Sequence, residues 1–355
     1  MLNFLRSKFW IIRARDKVKK HYRSCITCLR HSKAARVQLM GQLPDARLKS
    51  CKPFKATGVD YAGPVNIKFS PGRGAKTYKG YICLFICMVT RAIHIEVVTD
   101  LTARGFIAAY RRFTSRRGHC QDLFSDNGTN FVGADKLLKE MFDGAKSTLP
   151  KEIAELLTLQ STTWHFIPPQ APNFGGLWEA GVRCAKSHLK KVIGDTALTY
   201  EELVTILSQI EACLNSRPIS VLSSEADNPL PLTPGHFLVG EPLINVTHAD
   251  YKDCNINRLD RWNLIQKMVS DFWQRWSKEY LLNLNKRYKW NTKLEEPNID
   301  DICIIRDNNV PPSKWILGRI IKKHVGPDNL SRVVTIKCKN GYIKRPLNKL
   351  SILEK

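Results

Sequence analysis

The chain has 355 residues, more than one ordinary core accommodates, so length alone suggests two or three domains. Fifty-six Lys and Arg against 32 Asp and Glu leave a formal charge of +24, which makes nucleic acid the first partner to consider. No apolar run reaches the roughly 18 residues a membrane span needs, and Arg6, Lys8, Arg13 and Arg15 break any signal-peptide core, so a soluble intracellular protein with no membrane partner is expected.

Charge gathers at the ends, with net values of +13 over residues 1–55, +5 over 56–290 and +6 over 291–355. The ends read as DNA-gripping arms around a more neutral middle, although a solvated basic tail would look alike. There are 11 cysteines, and Cys83 and Cys87 lie inside the apolar run YICLFICMVT, as buried thiols do in a reducing compartment.

In chain order, residues 1–36 read as basic helical segments around Cys25-x-x-Cys28, and the connector GQLPDARLKSCKP marks a boundary near residue 45. FKATGVDYAGPVNIKF and KTYKGYICLFICMVTRAIHIEVV are rich in β-branched and aromatic residues, with PGRGA between them, and predict two or three antiparallel strands. LTARGFIAAYRRFTSRRG is an amphipathic helix, QDLFSDNGTNF a short strand ending in a turn where Gly128 supplies a positive φ, and ADKLLKEMF a second helix. STTWHFIPP is a strand leading through PPQAPNFGG to a helix from about Leu177, and Thr199 with Glu202 forms a capping box that opens a helix to about Asn215. Trp262, Ile265, Val269, Phe272, Trp276 and Tyr280 recur at steps of three or four, a stripe better read as a buried helix face than as a partner-binding zipper. Beyond Pro297, DICIIRD, WILGRIIKKHV and RVVTIKCKNGYIKR are separated by turn residues, as in a small β-barrel. Strands followed by mixed strands and helices predict an α/β layer fold with a mixed sheet.

Three carboxylates stand out. Asp60 lies in a strand context, Asp126 ends a strand, and Glu179 sits on a helix after a glycine-rich loop, at intervals of 66 and 53 residues. Carboxylates carried by rigid elements suit a hard divalent cation, and without one they would repel each other. Two such ions about 3.5–4 Å apart would activate a hydroxyl and stabilise the leaving oxygen of an in-line displacement at phosphorus. Singly, each has a plainer explanation: Asp60 capping a turn, Asp126 forming an Asx-turn with Gly128, Glu179 pairing with Arg183. Glu179, Arg183, Lys186 and Lys190 follow at steps of four, three and four, while Cys184, Leu189, Val192 and Ile193 favour the other face. The basic face would suit a DNA backbone beside the metal, and a solvated amphipathic face would show the same pattern.

The strings GVDYAGP, SDNGTNF, WHFIPPQAPNFGGLWEAGV, NSRPI and LTPGHFLVG resemble the integrase of LTR retrotransposons, most closely of the Bel-Pao type, within the retroviral-type integrase family. The resemblance runs from about residue 10 to the end. It implies a ribonuclease-H-like α/β catalytic domain over residues 46–245, with Asp60, Asp126 and Glu179 as catalytic ligands of Mg²⁺ or Mn²⁺. It also implies 3′-end processing and strand transfer, with DNA as partner, homo-oligomeric assembly and action in the nucleus. Residues 246–296 would be a helical linker and 297–355 a small SH3-like β-barrel that binds DNA. There Lys314, Trp315, Arg319, Lys322, Lys323, Lys344 and Arg345 offer a basic, partly aromatic surface, unless Trp315 is simply core.

The N-terminal segment, 1–45, departs from the family pattern. Cys25 and Cys28 have zinc spacing, but the histidine pair of similar integrases is expected ahead of the first residue, and neither His21 nor His31 matches its place. The segment therefore reads as an incomplete zinc-binding domain, with Zn²⁺ expected only when upstream ligands are present. This leaves a second reading, a catalytically silent, domesticated DNA-binding derivative.

Overall fold

The computed structural model describes residues 2, 5, 8–26, 45–49, 51–72, 74–126, 128–148, 162–166, 186–194, 196–223, 229–243, 260–284, 297–307, 310–326 and 331–353. They fall into two compact units, Met1–Pro44 and Asp45–Lys355. In the first, helix α1 (Ala14–Ser24) is capped by Cys25, whose N–H donates to the His21 carbonyl at 3.0 Å.

The second unit is organised around a six-stranded sheet. Strand β1 (Ala56–Lys68) pairs antiparallel with β2 (Thr77–Cys87), which pairs antiparallel with β3 (Ile93–Val98). Strand β4 (Asp122–Ser125) runs parallel to β1, and β5 (Thr163–Phe166) parallel to β4, giving the order β3-β2-β1-β4-β5. The short β6 (Leu198–Thr199) pairs with the far end of β1. Three antiparallel strands followed by two parallel ones make the ribonuclease-H-like mixed sheet.

The apolar run of β2 is continuous because both of its faces are covered. Ile82, Leu84 and Ile86 enter one core, and Cys83, Phe85 and Cys87 the other. Helices α2 (Ala103–Arg117) and α3 (Thr129–Thr148) lie on the Phe85 side. Helix α2 is fixed at its start by Thr102 Oγ1, which accepts from the Gly105 N–H at 3.0 Å, and at its end by Gly118 at φ 89°. Phe106 and Phe113 are wholly buried from it, each contributing about 1.5–3 kcal/mol.

The opposite face carries a helical segment α4 (186–193), α5 (Tyr200–Asn215) and, past a hairpin of β7 (Ser220–Ser223) and β8 (Leu230–Leu232) and the one-and-a-half-turn α6 (Pro234–Val239), the long α7 (Arg261–Leu284). The expected capping box opens α5: Thr199 N–H donates to the Glu202 carboxylate at 2.8 Å, and Glu202 N–H to Thr199 Oγ1 at 3.3 Å. Ile265, Val269, Phe272 and Trp276 of α7 are buried as expected, but Trp262 is 55% exposed. It sits in the first turn of α7, ahead of Leu264, where the buried face begins. Helix α3 starts five residues earlier than expected, directly after Gly128.

The last five strands, β9 (Ile302–Ile305), β10 (Ile316–Val325), β11 (Ser331–Cys338), β12 (Gly341–Pro346) and β13 (Leu350–Ile352), pair antiparallel in the order β12-β11-β10-β9-β13. A 3₁₀ turn, Leu347–Lys349, joins the last two, which is the expected SH3-like arrangement. Gly318 is needed here: a Cβ would come within 2.4 Å of Ile336 Cγ2 and 2.9 Å of the Lys337 carbonyl. Helix α7 joins both sheets, with Leu281 packed against Ile302, Ile304, Leu317 and Leu353. Trp315 lies against Trp273, Trp276 and Tyr280, with ring centroids 4.8, 6.1 and 5.8 Å away, so it is a packing residue and not part of an aromatic surface.

Candidate metal and nucleic-acid site

Side chains alternate along a strand. On β1, Ala56 and Ala62 enter the core beneath α4, α5 and α7, while Val59 enters the other, so Asp60 shares the face of the two alanines. On β4, Phe124 packs into that same core and Leu123 into the opposite one, and Asp126 follows directly after the strand's last residue, Ser125. The parallel register matches Gly58 with Phe124, and two steps further along each chain stand Asp60 and Asp126. Neighbouring strands are about 4.8 Å apart, so this pairing directs the two segments that carry the aspartates toward the same end of the sheet.

Asp60 is held on both oxygens. The Tyr61 N–H donates to Oδ1 at 2.6 Å, and the Lys186 ammonium donates to Oδ2 at 2.7 Å. Asp126 is exposed, and its Oδ1 accepts the Gly128 N–H at 3.1 Å, so the Asx-turn weighed as a plain explanation is present. Gly128 is not among the glycines at positive φ. Its small size serves close approach instead, since a Cβ there would lie 2.7 Å from Asn130 Oδ1 and 3.1 Å from Asp126 Oδ1.

The backbone before Asp126 is braced from β5. Trp164 donates its indole N–H to Ser125 Oγ at 2.8 Å, and Ser125 donates to the Asp126 carbonyl at 2.8 Å. Behind Asp60, burial first and the nearby Glu96 and Asp60 charges next push the Cys83 thiol well above its ordinary range, so it remains protonated.

Helix α4 presents Lys186 to Asp60 while Leu189 and Ile193 anchor it in the core, and Lys190, one turn on, is exposed. His188 points to α7, its Nε2 2.9 Å from Glu279 Oε2. Burial holds its imidazole below the ordinary value against the opposing pull of Glu279. Sequence reading missed the roles of Trp164, Ser125, His188 and Glu279. Trp164 and His188 stood in strings read for the family resemblance and for the basic helix face, and only contact reveals their partners.

Glu179, Arg183 and Cys28 lie outside the described residues, as do Asn127, His31 and Cys184. Among the described residues no group of three or more His, Cys, Asp or Glu is placed to hold a metal ion. The donor chemistry that is described nevertheless fits one: the Asp60 and Asp126 carboxylates are the hard oxygens a magnesium-class ion takes, and a cation, the Lys186 ammonium, already stands against Asp60.

A family model described as "Family of unknown function (DUF5641)" matches residues 260–353, which span α7 and the five-stranded C-terminal sheet. No curated protein matches the sequence. Among solved structures the chain is similar to the simian T-cell lymphotropic virus intasome in complex with PP2A regulatory subunit B56 gamma, at 12% identity and a TM-score of 0.37, covering 97% of this chain and 92% of that one. It is also similar to the HTLV-2 integrase catalytic core domain in complex with magnesium. The dimeric form matches at 18% identity and a TM-score of 0.30, over 49% of this chain and 94% of that one. The trimeric form matches at 17% identity and a TM-score of 0.30, over 48% and 91%. These likenesses assign no chemistry to this chain. No helix among the described residues is long and apolar enough to cross a membrane.

Proposed function

We propose that this chain is a retroelement integrase of Bel-Pao type, a polynucleotidyl transferase that trims DNA 3′ ends and joins them to target DNA. A fold hosts many functions, so the reading rests on the site. The observation that carries it is the parallel pairing of Gly58 with Phe124, each two residues ahead of one of the two aspartates, Asp60 and Asp126. Glu179, seven residues before Lys186, is the third carboxylate in this reading. Residues 46–245 are the catalytic domain, 246–296 its helical connection, 297–355 a DNA-binding barrel and 1–45 a zinc-type segment in which Cys25 and Cys28 need two further ligands. The protein acts in the nucleus as a homo-oligomer.

Magnesium- or manganese-class ions held by the three carboxylates would activate the attacking hydroxyl and stabilise the leaving oxygen. In end processing a water oxygen attacks phosphorus and the bond to O3′ breaks, freeing a 3′-hydroxyl. In strand transfer that hydroxyl attacks a target phosphorus; one phosphorus–oxygen bond forms as another breaks, so no separate energy source is needed. Asp60 and Asp126 supply ligand oxygens, the Trp164–Ser125 chain holds the Asp126 backbone, and Lys186 and Lys190 of α4, together with Arg183, offer positive charge to the DNA backbone.

The test is to incubate purified protein with labelled element-end duplexes and Mg²⁺ or Mn²⁺, beside Asp126→Asn. Metal-dependent end cleavage or joining that Asp126→Asn lacks is the expected result. Folded protein that binds the duplex without any chemistry overturns the enzyme reading in favour of the silent DNA-binding derivative.

A further inference from the structure

We propose that Lys186 couples metal binding to DNA binding by exchanging Asp60 for a backbone phosphate, an inference that rests on the metal site proposed above. Asp60 Oδ1 already accepts the Tyr61 N–H, which leaves Oδ2 as the oxygen free of backbone bonds, and Lys186 Nζ sits 2.7 Å from it. A divalent ion and an ammonium compete for that oxygen, because the two cations repel at contact distance. Both side chains are half-buried, at 31% and 26% exposure, so water screens the conflict only partly.

The exchange needs no movement of the backbone. Leu189 and Ile193 fix α4 in the core, while the four-carbon stem of lysine lets the ammonium swing away from Asp60 toward solvent. Lys190 is already exposed on the same helix face, one turn along. Displaced by metal, Lys186 becomes a second cation beside Lys190, and both then suit consecutive phosphates. Drawn away by DNA first, it leaves Asp60 an unpaired carboxylate next to the negative backbone, a site that attracts a divalent cation more strongly than before.

Linkage makes the two effects equal in size. Whatever factor DNA adds to metal affinity, metal adds to DNA affinity, and the protein charges its site mainly when substrate is present. Residue 186 is thus a coupling residue, acting through Asp60 in one state and through phosphate in the other.

The experiment is a Mn²⁺ titration of the full chain, followed by the electron paramagnetic resonance signal of free ion, with and without a DNA duplex. Wild type, Lys186→Met, Lys191→Met and Asp126→Asn are compared after circular dichroism confirms that each is folded. Without DNA, Lys186→Met binds Mn²⁺ about tenfold more tightly than wild type, within the usual span of coupling energies, and DNA strengthens its Mn²⁺ binding less than in wild type. Lys191→Met, which removes a charge from the same helix without touching Asp60, shifts neither. Should Lys186→Met bind Mn²⁺ no more tightly than wild type in the absence of DNA, while Asp126→Asn loses the site, the coupling is overturned and the metal site stands. Should Asp126→Asn bind Mn²⁺ as wild type does, the metal site itself falls, and the coupling with it. Lys186→Gln repeats the comparison if the methionine variant does not fold.

Discussion

Trp164 on β5 donates its indole N–H to the hydroxyl of Ser125 on β4, 39 residues away in sequence, at 2.8 Å, and that hydroxyl donates onward to the carbonyl of Asp126. A fully buried serine thus ties the end of β4 to the neighbouring strand. Ser125→Ala strands both the indole N–H and the Asp126 carbonyl, whereas Trp164→Phe removes a donor and leaves the serine bond in place. With an unmet buried group costing about 1–3 kcal/mol, the alanine variant is expected to lose more stability than the phenylalanine variant. Urea unfolding of both at constant slope checks the order, and the reverse order would show that Trp164 acts chiefly through its contacts with Phe106, Phe131 and Phe166.

How much of this was legible in the sequence follows from what periodicity can report. It gives faces, and the buried side of α7 from Ile265 to Trp276 emerged that way, while β-branched composition gave the strand context of Asp60 and a local pattern gave the capping box of Thr199 and Glu202. It does not give edges or ends, which is why Trp262 was expected inside and is exposed. It also does not give long-range partners. Lys186 read as a DNA contact from its helix face, yet its ammonium meets a carboxylate 126 residues away, and nothing local announces that. Gly128 was expected at a positive φ because glycine in a turn usually means that; here it serves close approach.

Asn215, the first residue of NSRPI, shows the same limit. Strand β3 is the sheet's edge, where outward N–H and C=O groups lack a neighbour. Helix α5 closes that edge: Asn215 accepts the Ile93 N–H at 2.8 Å and donates to the Ile93 carbonyl at 2.7 Å, and Glu211 accepts the Ile95 N–H at 2.8 Å. Four residues of helix rise about 6 Å and two of strand about 6.6 Å, so the spacing fits. Asn215→Ala leaves two buried backbone groups unmet and is expected to cost about 2–5 kcal/mol, with faster amide exchange at Ile93. An unchanged unfolding midpoint would mean that water replaces the amide there.

His94 is buried between Glu96 and Glu211, with Arg117 Nε 3.3 Å from its Nδ1 and Arg112 and Arg116 paired to Glu96. Burial opposes the imidazolium, but its bonds to Glu211 and Glu96 outweigh that and raise the imidazole above its ordinary 6.5. Burial likewise opposes the Glu96 carboxylate, whose bonds to His94 and Arg112 hold it below its ordinary 4.5. The raised histidine contributes stability that is full below 6.5 and is lost as pH rises through its folded value; the lowered glutamate contributes stability that is full above 4.5 and is lost as pH falls through its own. The stability difference between wild type and His94→Gln is therefore expected to be greatest between those two values and to shrink on the alkaline side. Thermal melts across pH 4 to 9 test this, and a gap that widens with rising pH would reverse the assignment.

Lys186 and Lys190 make the DNA reading measurable without catalysis. A lysine on a duplex phosphate releases condensed counterions, so each such contact adds about 0.9 to the slope of log affinity against log salt. Substituting both with methionine is expected to weaken binding by a similar factor on unrelated duplex sequences, since phosphates carry no sequence information, and to lower the slope by about 1.8. Fluorescence anisotropy over a salt series in the presence of Mn²⁺, which frees Lys186 from Asp60 in the coupling proposed above, reads both quantities. In the absence of metal, Lys186 is held by Asp60, and the loss of slope should fall nearer to one contact than two. A slope that does not change in either condition would place the DNA on another surface, with the basic strands of the C-terminal sheet the next to be substituted.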